Sequence, residues 1–298
     1  MAIPEHQLET WTHQGATAQS RTTYATVKKA LEDSASPYAA KNFEVFLQGS
    51  YGNDTNVYRD SDVDVVIRLD SIFAHDANLL PTDQYAAFES AYPGAASYSY
   101  GQFKTDVFTW LVKKFGNTVT LGKKAIFIPA GGGRRDCDVL PAIQFRYYYG
   151  FSSAAPSNYA EGICFYLPDG TKIVNFPKQH STNCTTKHQA CNNSFKPTVR
   201  IFKNMRNHLV DAKKLQDGIA PSYFIEGLLY NVPNQKFSAN RTDTFTSVYN
   251  YLVVTDRASF RCANGIHSLL GDHTHVSWPA ANCQAYLDAL RDLWTNWR

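Results

Sequence analysis

The sequence predicts an α+β fold in which a strand-rich first part precedes a helical second part. Three observations carry this prediction. Apolar or alternating runs of strand length recur between residues 42 and 176, the clearest being Asn42 to Gln48 (NFEVFLQ) and Asp62 to Leu69 (DVDVVIRL). From Val199 onward, apolar residues repeat instead at helical spacing. The 298 residues, 44 % hydrophobic and 18 % charged, suffice for one large domain or two tightly joined ones with a real core.

The elements follow in order. Thr22 to Leu31 reads as a helix, with Tyr24, Val27 and Leu31 spaced for one face. Asn42 to Gln48 is a strand with Phe43, Val45 and Leu47 on one side, broken by Gly49-Ser50. Asp62 to Leu69 is the next strand. Tyr85 to Tyr92 and Thr105 to Phe115 read as helices, Ala125 to Pro129 and Asp136 to Phe145 as strands. Ile163 to Leu167 and Lys172 to Phe176, split by Asp169-Gly170, form a hairpin. A polar stretch from Ser181 to Ser194 (STNCTTKHQACNNS) reads as a loop leading into Pro197. Helices follow at Val199 to Val210, Tyr223 to Leu229, Thr242 to Val253 and Ala281 to Trp294. The expected division is a core of residues 1–190 and a helical lobe of residues 191–298, with the boundary near Ser181 to Asn193.

Composition narrows the function. A net charge of +3 is too mild for a protein living on long duplex DNA, whereas a site for a few triphosphates needs only a local basic cluster. Aromatic residues, at 14 %, suit buried strands and base-stacking surfaces equally. Repeats and low-complexity tracts are absent. Met1 to Gln19 is polar and lacks the apolar centre of a signal peptide, and no apolar run reaches membrane-spanning length. The expectation is a cytosolic protein without a membrane partner, whose six cysteines are free thiols or metal ligands.

The chemistry concentrates between Gln48 and Leu69 (QGSYGNDTNVYRDSDVDVVIRL). A strand ends in Gly49-Ser50, where the missing Cβ lets backbone and a hydroxyl approach a phosphate closely. Asp62 and Asp64 then lie two apart on a strand, so both carboxylates point to one face. Val63, Val65 and Ile67 make the other face apolar. Two carboxylates on a half-buried strand repel each other and resist desolvation, and a divalent cation relieves both penalties. Magnesium, with manganese as an alternative, prefers such oxygen ligands together with substrate phosphates. A two-ion site needs a further carboxylate. RRDCDVLPAIQF offers Asp136 and Asp138, which share a face by parity, so spacing alone does not choose between them.

Gly49-Ser50, Thr55 and Ser61-Asp62-Val63-Asp64 resemble the signature of the DNA polymerase β-like nucleotidyltransferases. Asp138-Val139-Leu140-Pro141-Ala142, Gly170 to His180 (GTKIVNFPKQH), Lys196 to Asn204 (KPTVRIFKN) and Pro221 to Pro233 (PSYFIEGLLYNVP) resemble more narrowly the bacterial cyclic GMP-AMP synthase/DncV-like nucleotidyltransferases, the CD-NTases of CBASS antiphage systems. The resemblance implies a polymerase β-like core, a mixed sheet flanked by helices, with a C-terminal helical lobe and the active site in the cleft between them. It selects Asp138 over Asp136 as third ligand to two Mg²⁺ ions. It implies template-independent synthesis of a cyclic di- or trinucleotide from ATP and another nucleoside triphosphate, the product being read by a separate effector protein. Gln48, Gly49, Ser50, Thr55, Ser61, Lys203, Ser222 and Tyr223 become candidate substrate-binding residues, with Lys203 at the donor triphosphate, Ser222 at phosphates and Tyr223 stacking on a base. Each type fits its role, since a lysine suits point-charge contact with phosphate and an aromatic ring is a sequence-tolerant base platform.

Asn175 falls where related enzymes carry asparagine with uracil and a small hydroxyl residue with purines. An amide offers a donor and an acceptor to the O4 and N3–H edge of uracil, so the expected product contains uridine, as cyclic UMP-AMP or cyclic di-UMP. The competing products are an all-purine cyclic dinucleotide and a linear tailing or adenylylation product. His180, Cys184, His188 and Cys191 have a spacing able to bind zinc, at about the position of a zinc insertion in animal relatives. Zinc is nonetheless not expected here, and neither is activation by DNA.

Overall fold

Two strands that run side by side in the same direction organise the sheet. The computed structural model describes residues 2–15, 17–59, 62–94, 96–153, 158–271 and 275–297. In chain order the elements are α1 (Glu5–Trp11), α2 (Ala18–Leu31), β1 (Phe43–Leu47), α3 (Gly49–Gly52), β2 (Val63–Asp76), α4 (Thr82–Ala91), α5 (Tyr100–Phe115), β3 (Thr120–Leu121), β4 (Ile126–Ile128), β5 (Cys137–Gly150), β6 (Asn158–Tyr166), β7 (Lys172–Asn175), α6 (Pro177–Ala190), α7 (Phe195–Asp211), α8 (Ser222–Tyr230), α9 (Arg241–Val254) and α10 (Ala280–Thr295). They fall into two compact units, each assembled from separated segments. One comprises residues 18–47 and 62–177, the other residues 1–17, 48–61 and 178–298.

The first unit is a mixed sheet with order β1-β2-β5-β4-β3, extended by β6 on β5 and by β7 on β6. β2 and β5 are parallel, and the remaining pairings are antiparallel. A parallel pair needs a long crossover, here supplied by α4, α5, β3 and β4. α2 packs against β2 and α5 against β5. α5 starts with a capping box in which Ser99 and Gln102 satisfy each other's backbone N–H groups. Val63, Val65 and Ile67 are fully buried, as expected for an apolar strand face. The one buried cation of β2, Arg68, is held by three carboxylates: Asp70 at 2.6 Å, Glu161 at 2.7 Å and Glu44 at 3.1 Å. β2 and β5 run past their expected ends at Leu69 and Phe145. The register between them shifts between Leu69 and Phe73, which interrupts the alternation that marks a strand in the sequence.

The second unit is helical. Its core joins Leu8 of α1, Phe202 and Met205 of α7, Phe224 and Leu228 of α8, Val248 of α9 and Leu287 of α10. The stretch expected as a polar loop after His180 is instead helix α6. Its buried residues are His180, Cys184 and Lys187, a stripe at helical spacing made of side chains that hydropathy does not mark as core. The Lys187 ammonium donates to the Val232 carbonyl at 2.6 Å. Among the described residues no helix is long and apolar enough to cross a membrane.

Gly162 on β6 shows how tightly the β6–β7 hairpin closes. A Cβ there would lie 2.6 Å from the Asn175 carbonyl oxygen and 2.9 Å from the Phe176 ring. Gly162→Ala is therefore expected to destabilise the protein by about 1–3 kcal/mol, the range for overpacking a filled interior, as read by urea unfolding. An unchanged midpoint would show that the hairpin yields.

Candidate active site

Because β2 and β5 are parallel and in register, Asp64 stands directly opposite Asp138, with Val63 opposite Cys137. Asp62 is exposed just before β2, while Asp64 and Asp138 are half-buried at the starts of their strands. Burial, then the charges of Asp62 and Asp136, push the Asp138 carboxyl above its usual range. The neighbouring Cys137 thiol is pushed up to about 12 by burial and by the charges of Asp138, Asp64 and Asp62. Negative charge therefore accumulates at this end of the β2–β5 pair. The oxygen-only ligand set and the excess charge both fit a hard divalent cation.

Asp136 is engaged elsewhere. Its Oδ1 accepts a hydrogen bond from the Ala130 N–H at 2.7 Å, and its carbonyl accepts from the Val63 N–H at 3.0 Å. It closes the turn before β5.

Gln48, Gly49, Ser50 and Thr55 lie in the helical unit, on a segment that includes α3. Gly49 has φ of +67°, a left-handed conformation that favours glycine. The Thr55 N–H donates to the Ser50 carbonyl at 2.9 Å, so the segment curls on itself. Three helices then hold it. Ser181 of α6 donates to the Gly52 carbonyl at 3.2 Å. Lys196 and Arg200 of α7 bond the Asp54 carboxylate and carbonyl at 3.1 and 2.6 Å. From α8, the buried Glu226 carboxylate accepts from the Thr55 hydroxyl and from Asn53 Nδ2, the latter at 2.9 Å.

Lys203 is fully buried, and its ammonium donates to the Thr55 carbonyl at 3.0 Å. Ser222 is the first residue of α8, a helix with no side-chain cap at its start. Tyr223 stacks on the His180 ring, with centroids 4.3 Å apart, and its hydroxyl accepts from Asn264 Nδ2 at 3.1 Å. Burial raises the Tyr223 phenol far above its usual range, keeping it neutral. In the sheet unit, Asn175 ends β7, half-buried and paired in register with Ile163. Ser61 lies outside the described residues.

The His-Cys spacing does not make a four-ligand cluster. Among the described residues no three of His180, Cys184, His188 and Cys191 bring their ligand atoms within 4.8 Å of one another, and the group that does is His180, Cys184 and Glu226. The His188 Nδ1 instead accepts from the Lys196 N–H at 3.4 Å, and Cys191 lies beside Asn234. Glu226 was not singled out from the sequence. Its signal there is a lone acid inside the apolar helix SYFIEGLLY, a placement that demands partners.

Residues 182–295 match the C-terminal helical domain of the cGAS/DncV-like nucleotidyltransferases. A cyclic UMP-AMP synthase of Rhodothermus marinus is 39 % identical over 304 residues, covering 100 % of this chain and 99 % of that protein. The solved structure of the Rhodothermus marinus c-UMP-AMP synthase with Apcpp and Upnpp superposes with a TM-score of 0.88 at 38 % identity, over 99 % of this chain and 97 % of that one. A cyclic dipurine nucleotide synthase of Elizabethkingia meningoseptica is 33 % identical over 252 residues, 83 % of each chain.

The carboxylate geometry predicts opposite stability effects for neighbouring substitutions. A carboxyl whose folded pKa is raised subtracts from stability while ionised, and that penalty fades as pH falls toward the raised value. At neutral pH and without metal, Asp138→Asn is therefore expected to raise Tm, on the order of 2 °C, while weakening Mn²⁺ binding in calorimetric titration. Asp136→Asn keeps an acceptor oxygen for the Ala130 N–H but removes the charge that strengthens this bond in the turn before β5, and is expected to lower Tm and retain more of the Mn²⁺ affinity. The reverse ranking of Mn²⁺ affinities would make Asp136 the third ligand.

Proposed function

The chain belongs to the cGAS/DncV-like nucleotidyltransferases, and from that membership we propose that it closes UTP, with ATP or a second UTP, into a cyclic dinucleotide and releases pyrophosphate. The product, cyclic UMP-AMP or cyclic di-UMP, serves in this reading as a second messenger taken up by a separate effector in antiphage defence. The observation that carries the nucleotidyl-transfer reading is the pair of facing carboxylates, Asp64 and Asp138, with Asp62 beside them.

Asp62, Asp64 and Asp138 are the residues that would hold two Mg²⁺ ions, which supply the Lewis acidity that activates a ribose hydroxyl and neutralises a triphosphate. The hydroxyl attacks the α-phosphorus of the donor, the bond to pyrophosphate breaks, and a second such transfer closes the ring. The side chains supply binding and orientation. Gly49 and Ser50 let the backbone approach phosphate. Ser222 brings a hydroxyl and the unshared N–H groups of a helix start, which favour an anion. Lys203 provides a fixed positive charge beside the Gln48–Thr55 segment. Tyr223, immobilised by His180 and Asn264, is a rigid surface for a base.

Family membership alone leaves the base open, because relatives with uridine-containing and with purine-only products resemble this chain over most of its length. The uridine reading rests on Asn175. Its amide matches the uracil edge, and Gly162 allows the backbone at Asn175 its close approach to β6. A matched hydrogen-bonding pair discriminates strongly, since the wrong base leaves polar groups unpaired.

Supplying the purified protein with all four labelled NTPs and Mg²⁺ is expected to give a phosphatase-resistant product containing UMP. Asn175→Ser should shift incorporation toward purines. A wild-type product made only of AMP and GMP would overturn the uridine reading, and a phosphatase-sensitive product would make the enzyme a linear transferase. Asp62→Asn combined with Asp64→Asn is expected to leave the fold intact and abolish product. Lys203→Ala is expected mainly to raise KM, by about tenfold, because phosphate is present in both ground and transition states.

A further inference from the structure

One buried acid of the helical unit has no part in the chemistry above. Glu226 is 1 % exposed in the middle of α8. An isolated carboxylate in such a place would be strongly disfavoured, and this one is instead surrounded by donors. Thr55 donates its hydroxyl, Asn53 donates Nδ2 at 2.9 Å, and His180 Nε2 lies 2.6 Å away. A carboxylate only accepts, so the His180 Nε2 proton points at Glu226. Burial raises the Glu226 carboxyl, but the bond and charge of His180, the charge of Lys203 and the Thr55 hydroxyl outweigh it, and the net shift is downward.

Each partner leads to a residue assigned to nucleotide binding. Asn53 and Thr55 belong to the segment that carries Gly49 and Ser50, whose backbone turns through positive φ at Gly49 and again at Asp54. Asn53, Thr55 and Asn56 are buried on this segment, so a curl of polar residues is held against apolar helices. The Thr55 carbonyl in turn carries the Lys203 ammonium. His180 presents its ring to Tyr223.

We propose that Glu226 is a positioning residue that locks the Gly49–Ser50 segment, Lys203 and the Tyr223 ring into one nucleotide-binding arrangement. The proposal rests on the nucleotidyltransferase reading. Glu226 touches no substrate, and it acts through Thr55, Asn53 and His180. Its loss leaves buried donors unanswered and frees the segment to leave its left-handed turns, so the loss falls on nucleotide affinity, with kcat little altered.

The test measures equilibrium binding of a non-hydrolysable NTP with Mg²⁺, alongside KM and kcat. Glu226→Gln preserves size and removes the charge. Thr55→Val preserves shape and removes the donor, whereas Thr55→Ser keeps the hydroxyl. Glu226→Gln and Thr55→Val are each expected to weaken binding by about tenfold or more, as for loss of a buried charge-assisted hydrogen bond. Thr55→Ser should stay within about threefold of wild type, because the donor remains. The double variant Glu226→Gln with Thr55→Val should weaken binding by clearly less than the product of the two single effects, since both act on the Thr55–Glu226 link. A role confined to folding would instead lower Tm and leave affinity unchanged in the folded fraction.

Affinities within about twofold of wild type in folded Glu226→Gln or Thr55→Val, or effects that multiply in the double variant, would overturn the proposal. So would one tightly held zinc per chain that is lost in His180→Phe, because Glu226 would then be a metal ligand. If Glu226→Gln does not fold, Asn53→Leu, which removes the other donor of the segment to Glu226 at a residue not assigned to nucleotide contact, decides by the same thresholds. Loss of product in Asp62→Asn with Asp64→Asn, with Glu226→Gln at wild-type affinity, would leave the nucleotidyltransferase reading standing and overturn the positioning role. A wild-type protein that binds no NTP would overturn both.

Discussion

A parallel pairing between β2 and β5 is the constraint on which the sheet unit depends. Strands that run in the same direction bring equivalent ends together, and only then do the first residues of both strands meet. Asp64 and Asp138 are 74 positions apart in the chain by their numbering, yet they are neighbours across one ladder. The pairing obliges the chain to travel back before β5 begins, which accounts for α4, α5 and the small β3–β4 hairpin. The apolar run of each strand anchors the pair, so the carboxylates stand on rigid backbone and the charge they accumulate is not relieved by movement of the strands.

The helical unit is organised by a different rule. A buried charge must be answered, and Glu226 is answered by three donors drawn from two other parts of the sequence. Lys187, Lys196 and Lys203 illustrate the same rule with opposite sign. Each is buried, and each sends its ammonium to a carbonyl or carboxylate, at Val232, Asp54 and Thr55 respectively. Hydrophobic packing of α7, α8 and α10 provides the bulk of the core, while these polar links define where the Gln48–Thr55 segment sits against it.

Much of this was legible in the sequence, for identifiable reasons. Strand parity put Asp62 and Asp64 on one face, and the apolar residues alternating with them marked the strand. Helical spacing located α7 to α10 to within a few residues of their observed ends. Three features were not legible. The extension of β2 and β5 was hidden by a register shift that breaks the alternation. α6 was hidden because its buried stripe is His180, Cys184 and Lys187, which hydropathy counts as polar. The membership of residues 48–61 in the helical unit was hidden because the groups that hold this segment lie far along the chain, as Glu226 does, 171 residues from Thr55. The choice between Asp136 and Asp138 was open by spacing and leaned on family resemblance. The bond from Ala130 to Asp136 now supplies a physical reason to favour Asp138.

The long separation between Thr55 and Glu226 also bears on how the protein is made. A ribosome releases the chain from its first residue onward, and the last strand of the sheet unit ends at Asn175. All seven strands therefore emerge while α7 and α8 do not yet exist outside the ribosome. During that interval Asn53 and Thr55 lack the carboxylate that they bond in the folded protein. The sheet can pair early, but the Gln48–Thr55 segment gains its Glu226 partner only after residue 226 has been synthesised. A chain stopped before α8 would carry all three aspartates and still lack the acceptor that orders Asn53 and Thr55.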